Sequence, residues 1–127
     1  MWESKLKILA VDDSETVRIS FKNFLEGHDF KIFEADSGLS AFEVLENNKE
    51  IKIIVSDLNM PEMDGMEFIE RARKIKEFTH TPVLVCTTEV CESLKMRAKK
   101  LGVRVWMQKP VKLPKVLGVL NMLLEKL

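Results

Sequence analysis

Four apolar runs in this sequence each stop on a group that could do chemistry. "LKILAV" (6–11) runs straight into Asp12 and Asp13, and "IKIIVS" (51–56) into Asp57. "TPVLVCT" (81–87) ends on Thr87 with Thr88 next, and "VRVWMQ" (103–108) is followed by Lys109 and Pro110. A carboxylate at the edge of a core is costly unless something pairs with it. Three of them at one place repel one another and resist full ionisation. A hard divalent cation relieves that repulsion. Magnesium suits the task, because it needs only one or two carboxylates and keeps its other positions for water and phosphate oxygens. Lys109 adds a further positive charge. A carboxylate, a magnesium ion, an ammonium and a hydroxyl are the parts that phosphoryl transfer uses: a nucleophile, and groups that neutralise oxygens on the group transferred.

For these residues to meet, the runs must be strands whose carboxyl ends share one rim. The segments between them read as helices. Ser14 is placed to cap a helix in which Val17, Phe21, Phe24 and Leu25 recur at helical spacing, with Gly27 as its stop. Phe30, Ile32 and Ala35 give a short alternating strand. "DSGLSAFEVLENN" then predicts a helix with Leu39, Phe42 and Leu45 on one side. "LNMPEMDG" is a loop punctuated by Pro61 and Gly65, and Met66, Ile69 and Ala72 mark the next helix. Leu94, Ala98 and Leu101 mark a fourth helix that ends at Gly102. Val103, Val105 and Met107 alternate onto one strand face, and after Pro110 seven apolar residues from Leu113 to Leu127 fall at helical spacing. Five β–α repeats in this order predict an α/β fold, with a parallel sheet covered by helices on both faces. The near-continuous apolar strands at 53–55 and 83–86 fit that burial. In such sheets ligands bind beyond the carboxyl ends of the strands.

Composition fits one ordinary globular domain spanning 1–127. Hydrophobic residues make up 46% of the 127 and charged residues 31%. No apolar run approaches the ~20 residues of a membrane helix, and the amino-terminal stretch does not read as a secretion signal. Cys86 and Cys91 read as reduced thiols, and neither has a histidine at metal-ligand spacing. These features lead us to expect a cytoplasmic protein. The net charge is zero but uneven: residues 1–90 hold 11 basic and 18 acidic groups, and residues 91–127 hold 9 and 2. That asymmetry points to a basic face in the last third.

"VDDS" (11–14), "SDLNMPEMDG" (56–65), Thr87 and "KP" (109–110) together resemble the receiver domain of two-component response regulators, most of all the stand-alone chemotaxis type. The likeness spans the chain. It implies a doubly wound, flavodoxin-like sheet of strand order 2-1-3-4-5 with five helices. It implies that Asp57 accepts a phosphoryl group from a histidine kinase. It further implies that Asp13, Asp57 and the Asn59 carbonyl hold Mg2+, that Asp12 helps through water, and that Thr87 and Lys109 engage phosphoryl oxygens. The Lys109–Pro110 bond is expected to be cis. Pro61 and Gly65 shape the loop after Asp57, as Pro110 shapes that after Lys109. Trp106 stands at the family's aromatic switch position. Such a protein is no enzyme beyond catalysing its own phosphorylation and dephosphorylation, and is a monomer or weak dimer. Output passes through the face made by the fourth helix, fifth strand and fifth helix. Here that face is basic, with Lys95, Arg97, Lys99, Lys100 and Arg104, so an acidic, amphipathic protein partner is expected, with no contact to nucleic acid or membrane.

Three residues depart from the family pattern. Thr88 replaces a small residue, and its branched side chain narrows access to the phosphoryl site. Trp106 is bulkier than the usual tyrosine, phenylalanine or histidine. Gln108 replaces a commonly apolar residue. Competing readings are a magnesium-dependent aspartyl phosphatase, a flavin or nucleotide module, and a degenerate receiver that only binds protein. The phosphatase wants an acid two residues after its nucleophile, where this chain has Asn59. The nucleotide module wants a glycine- or hydroxyl-rich phosphate loop where this chain has "VDDSE". Retention of Asp13, Asp57, Thr87 and Lys109 argues against degeneracy.

Overall fold

A computed structural model describes residues 5–60 and 63–127. The elements alternate: β1 (Leu6–Val11), α1 (Glu15–Glu26), β2 (Phe30–Ala35), α2 (Gly38–Asn47), β3 (Ile53–Ser56), α3 (Gly65–Ala72), β4 (Val83–Thr87), α4 (Glu92–Lys100), β5 (Val103–Gln108) and α5 (Leu113–Leu124), with a 3-10 turn at Lys76–Phe78. All strand pairs are parallel and the sheet order is β2-β1-β3-β4-β5, as expected. The reversal in strand order beside β1 places the crevice between the ends of β1 and β3.

Strand pleating divides the core into two layers. Ile8, Ala10, Ile53, Val55, Leu84 and Cys86 face α1 and α5, where Phe21, Leu25, Val116, Leu120 and Leu123 meet them. Leu9, Val11, Ile54, Val83 and Val85 face α2, α3 and α4, against Leu45, Phe68, Ile69 and Ala98. Each fully buried Leu, Ile or Phe contributes roughly 1.5–3 kcal/mol. This double coverage keeps the central strands, and therefore their ends, rigid.

The helix starts follow local chemistry. The Ser14 hydroxyl accepts from the Val17 N–H at 3.3 Å. Ser37 and Ser40 cap α2 reciprocally, and the Asp64 carboxylate accepts from the Glu67 N–H at 2.9 Å. Gly27 ends α1 in right-handed conformation, and it is Asp29 that takes a positive φ. Gly102 follows α4 with φ +86, a value that favours glycine.

Two expectations need correction. The buried stripe of α2 is Gly38, Ala41 and Leu45. Phe42 is half-buried, and Leu39 points outward at 48% exposure. Gly38 faces inward because the start of α2 packs tightly on the segment before α3: a Cβ on Gly38 would lie 2.4 Å from the Met63 carbonyl oxygen. The alternation of β5 also fails at its start. Val83 pairs with Val103 but Leu84 pairs with Val105, so Arg104 is the extra residue of a bulge. Val103 therefore packs with Trp106 on the α2–α3–α4 side, opposite Val105 and Met107.

Candidate functional site

Register brings the strand ends together. Val11 pairs with Ser56, and the Asp57 N–H donates to the Val11 carbonyl at 2.9 Å. The Lys109 N–H donates to the Thr87 carbonyl at 2.8 Å, which carries the lysine to the same rim. There its ammonium donates to Asp12 Oδ2 at 2.6 Å and to Asp57 Oδ2 at 2.9 Å. These partners lie 97 and 52 residues away in sequence. Asp12 and Asp57 are buried and Asp13 is exposed, and one oxygen from each lies within 4.8 Å of the others. The donors are all hard oxygens, and one ammonium faces three carboxylates. A small divalent cation fits that excess of negative charge.

Asp57 is held at both ends. Its Oδ1 accepts from the backbone N–H of Leu58 at 2.6 Å and of Asn59 at 3.2 Å, while Oδ2 faces Lys109. The Ser56 hydroxyl donates to the Asp57 carbonyl at 2.7 Å. Gly65 packs on the same carbonyl: a Cβ there would sit 2.3 Å from the Asp57 oxygen, so the first turn of α3 needs a glycine to lie this close. Burial pulls the Lys109 ammonium down. The hydrogen bonds to Asp12 and Asp57 and their charges outweigh it, and hold the lysine above its ordinary value.

The remaining candidates are spread around this centre. Thr87 is fully buried, and its Oγ1 accepts from the Glu89 N–H at 3.3 Å. The Asn59 side chain is exposed and donates from Nδ2 to Thr88 Oγ1 at 3.4 Å. The Lys109–Pro110 peptide is cis. Pro61 lies outside the described residues. Trp106 is half-buried on the sheet face that also carries Val85, its cross-strand partner. Its indole N–H is buried without a partner among the described residues, and the Lys95 ammonium lies 5.8 Å from the ring centroid. Sequence reasoning passed over Arg18, whose Nη1 donates to the Asp12 carbonyl at 2.6 Å and whose Nε reaches Glu34 at 3.3 Å. Its one signal was position, a basic residue one turn past the Ser14 cap.

On the wider surface, Arg97 reaches Glu70 at 3.3 Å and Lys95 reaches Glu92 at 3.3 Å. Met96 and Met122 are exposed on α4 and α5. Among the described residues no helix is long and apolar enough to cross a membrane.

Residues 8–121 match the family model of the response regulator receiver domain. A chemotaxis protein CheY homolog of Campylobacter jejuni is 39% identical over 83% of this chain and 82% of its own length. The chemotaxis protein CheY1 of Helicobacter pylori is 36% identical over 83% of this chain and 86% of its own length. Among solved structures, chemotaxis protein CheY4 of Vibrio cholerae superposes with a TM-score of 0.87 at 31% identity, covering 93% of this chain and 98% of that one.

Proposed function

This chain belongs to the response regulator receiver domain family, and we propose that it is a phosphorylation-switched receiver in a two-component relay, with Asp57 as the acceptor of a phosphoryl group from a histidine kinase. The observation that carries this reading is the Lys109 ammonium bonded at once to Asp12 and Asp57, with Asp13 beside them. An Asp57 oxygen forms the new bond to phosphorus. The bond from phosphorus to the kinase imidazole nitrogen breaks, and that nitrogen keeps the electron pair. The two backbone N–H groups on Oδ1 hold the carboxylate still, which favours one line of approach. Lys109 then turns from the carboxylates to a phosphoryl oxygen. Asp13 and Asp57, with the Asn59 carbonyl, would hold magnesium, and Asp12 would reach it through water. When bound, the ion neutralises oxygens of the transferred group.

Switching follows from Thr87. Its hydroxyl donates to a phosphoryl oxygen and draws the segment after β4 inward. Trp106, on the same sheet face and with its indole N–H unpartnered among the described residues, responds to that movement. The output is read by an acidic protein partner on the basic face of α4, β5 and α5. In this reading the receiver spans 1–127, acts in the cytoplasm as a monomer or weak dimer, and catalyses only its own phosphorylation and dephosphorylation.

The direct test is mass spectrometry after incubation with acetyl phosphate and magnesium. One added phosphoryl group is expected on the wild type and none on Asp57→Ala; equal labelling of both would end the proposal. With Trp2→Phe removing the other indole, phosphorylation should change the Trp106 fluorescence. Reversing the charges at Lys95, Lys99 and Lys100 should weaken effector binding to the phosphorylated chain at low salt.

A further inference from the structure

At the opposite end of the sheet, where β4 and β5 begin, lies a cavity of about 370 Å3 lined by Arg73, Thr79, His80, Lys100, Gly102 and Arg104. Three permanent cations and a histidine face it, and among the described residues no carboxylate lines it. None of the four joins an ion pair among the described residues, whereas Arg97 on the same helix as Lys100 has found Glu70.

Arg73 forms the floor. Its Nε donates to the Leu101 carbonyl at 2.8 Å and its Nη1 to those of Phe78 and Thr81 at 2.9 and 2.7 Å. Its Nη2 donates to the Gly102 carbonyl at 3.3 Å. A guanidinium has five N–H groups, so one on Nη2 is left without a partner among the described residues. The carbonyls fix the group in place but cancel none of its net charge. Burial, and then the charge of Arg104, pull this guanidinium below its ordinary value. Gly102 keeps the approach open, since a Cβ there would stand 3.1 Å from Nη2. Arg104 is the bulge residue of β5, and bulges re-aim side chains. The staple to four carbonyls explains Arg73 by itself. It does not explain why Lys100, Arg104 and His80 gather around it with no ion pair among the described residues.

We propose that this cavity is a binding site for a small, polyvalent phosphate-bearing anion. The fixed guanidinium would receive one phosphate through its spare N–H, and Arg104 and Lys100 would close on the remaining oxygens. The site is independent of the phosphoacceptor, which sits at the other end of the strands.

The test titrates the whole chain with inorganic triphosphate at low salt in metal-free buffer, where the acidic rim repels anions, and follows backbone amide shifts. Saturable binding is expected, with the largest shifts at Arg73, Gly102 and Arg104. The double variant Lys100→Gln, Arg104→Gln should bind about tenfold more weakly or worse. Both residues are exposed, and the amide spectrum reports whether the fold is kept. Lys95→Gln with Lys99→Gln removes the same charge from the adjoining groove, which Lys95, Lys99 and Trp106 line, and should change affinity by less than about twofold. Equal losses in the two double variants, or shifts scattered over surface lysines without saturation, would overturn the proposal.

Discussion

At the carboxyl end of the sheet, Lys109 ties Asp12 to Asp57, so that β1, β3 and the segment after β5 are cross-linked through charge. At the amino end, Arg73 is tied to four backbone carbonyls, while Lys100, Arg104 and His80 stand around it with no ion pair among the described residues. The first end offsets only one of its three carboxylate charges internally and leaves a surplus of acid. The second holds one cation by dipoles and leaves a surplus of base. Opposite surpluses at opposite ends of one rigid sheet suit ligands of opposite sign, a cation at the rim and an anion at the base.

Substitutions that remove the holding residue at each end sharpen this contrast. Arg73→Met should have the larger effect, a loss of about 3 kcal/mol in denaturant unfolding, because it orphans several carbonyls at once. If the loss is instead a few tenths, the guanidinium is not the brace described. Lys109→Met should cost about 2 kcal/mol in metal-free buffer by leaving two buried carboxylates without their shared counter-charge, and magnesium should restore part of it. That gap has a pH signature. The folded Lys109 value is raised, so its contribution is whole below the ordinary value of 10.5 and is lost only as pH rises through the higher folded value. A gap that closed between pH 7 and 9 would contradict the assignment.

Smaller effects probe each surplus directly. Asp13 is exposed, crowded by two other carboxylates and without an ion pair among the described residues. Asp13→Asn should therefore stabilise the metal-free protein by about 0.5 kcal/mol and weaken the stabilisation that magnesium provides. The smallest change is a contrast in reactivity with no change in stability. Burial pushes the Cys86 thiol, beneath the acidic rim, up to about 12. A hydrogen bond with Ser93 holds the exposed Cys91 thiol below its ordinary value. A thiol reagent should modify Cys91 in the native protein and Cys86 only on unfolding. Simultaneous labelling of both would show that the floor of the rim opens readily.

Much of this was legible in one dimension. Strand-ending acids, near-continuous apolar runs and helical spacing determined the βα alternation and named Asp12, Asp13, Asp57, Thr87 and Lys109, because burial periodicity and the cost of placing charge beside a core are written in residue types. The Lys109 bridge was not legible, since it depends on which strand ends lie side by side. Neither was the inward stripe of α2, where close packing on Met63 demands a glycine at position 38 and Leu39 is turned outward. The bulge at Arg104 is a property of the register between two strands, and a pattern read along one strand cannot contain it. Arg73 escaped for a related reason: its partners are main-chain carbonyls, which every residue carries, so no side-chain motif marks them. Residue identity determined which groups must leave the core, and tertiary structure alone decided which of them meet, because meeting depends on distances between segments far apart in the chain.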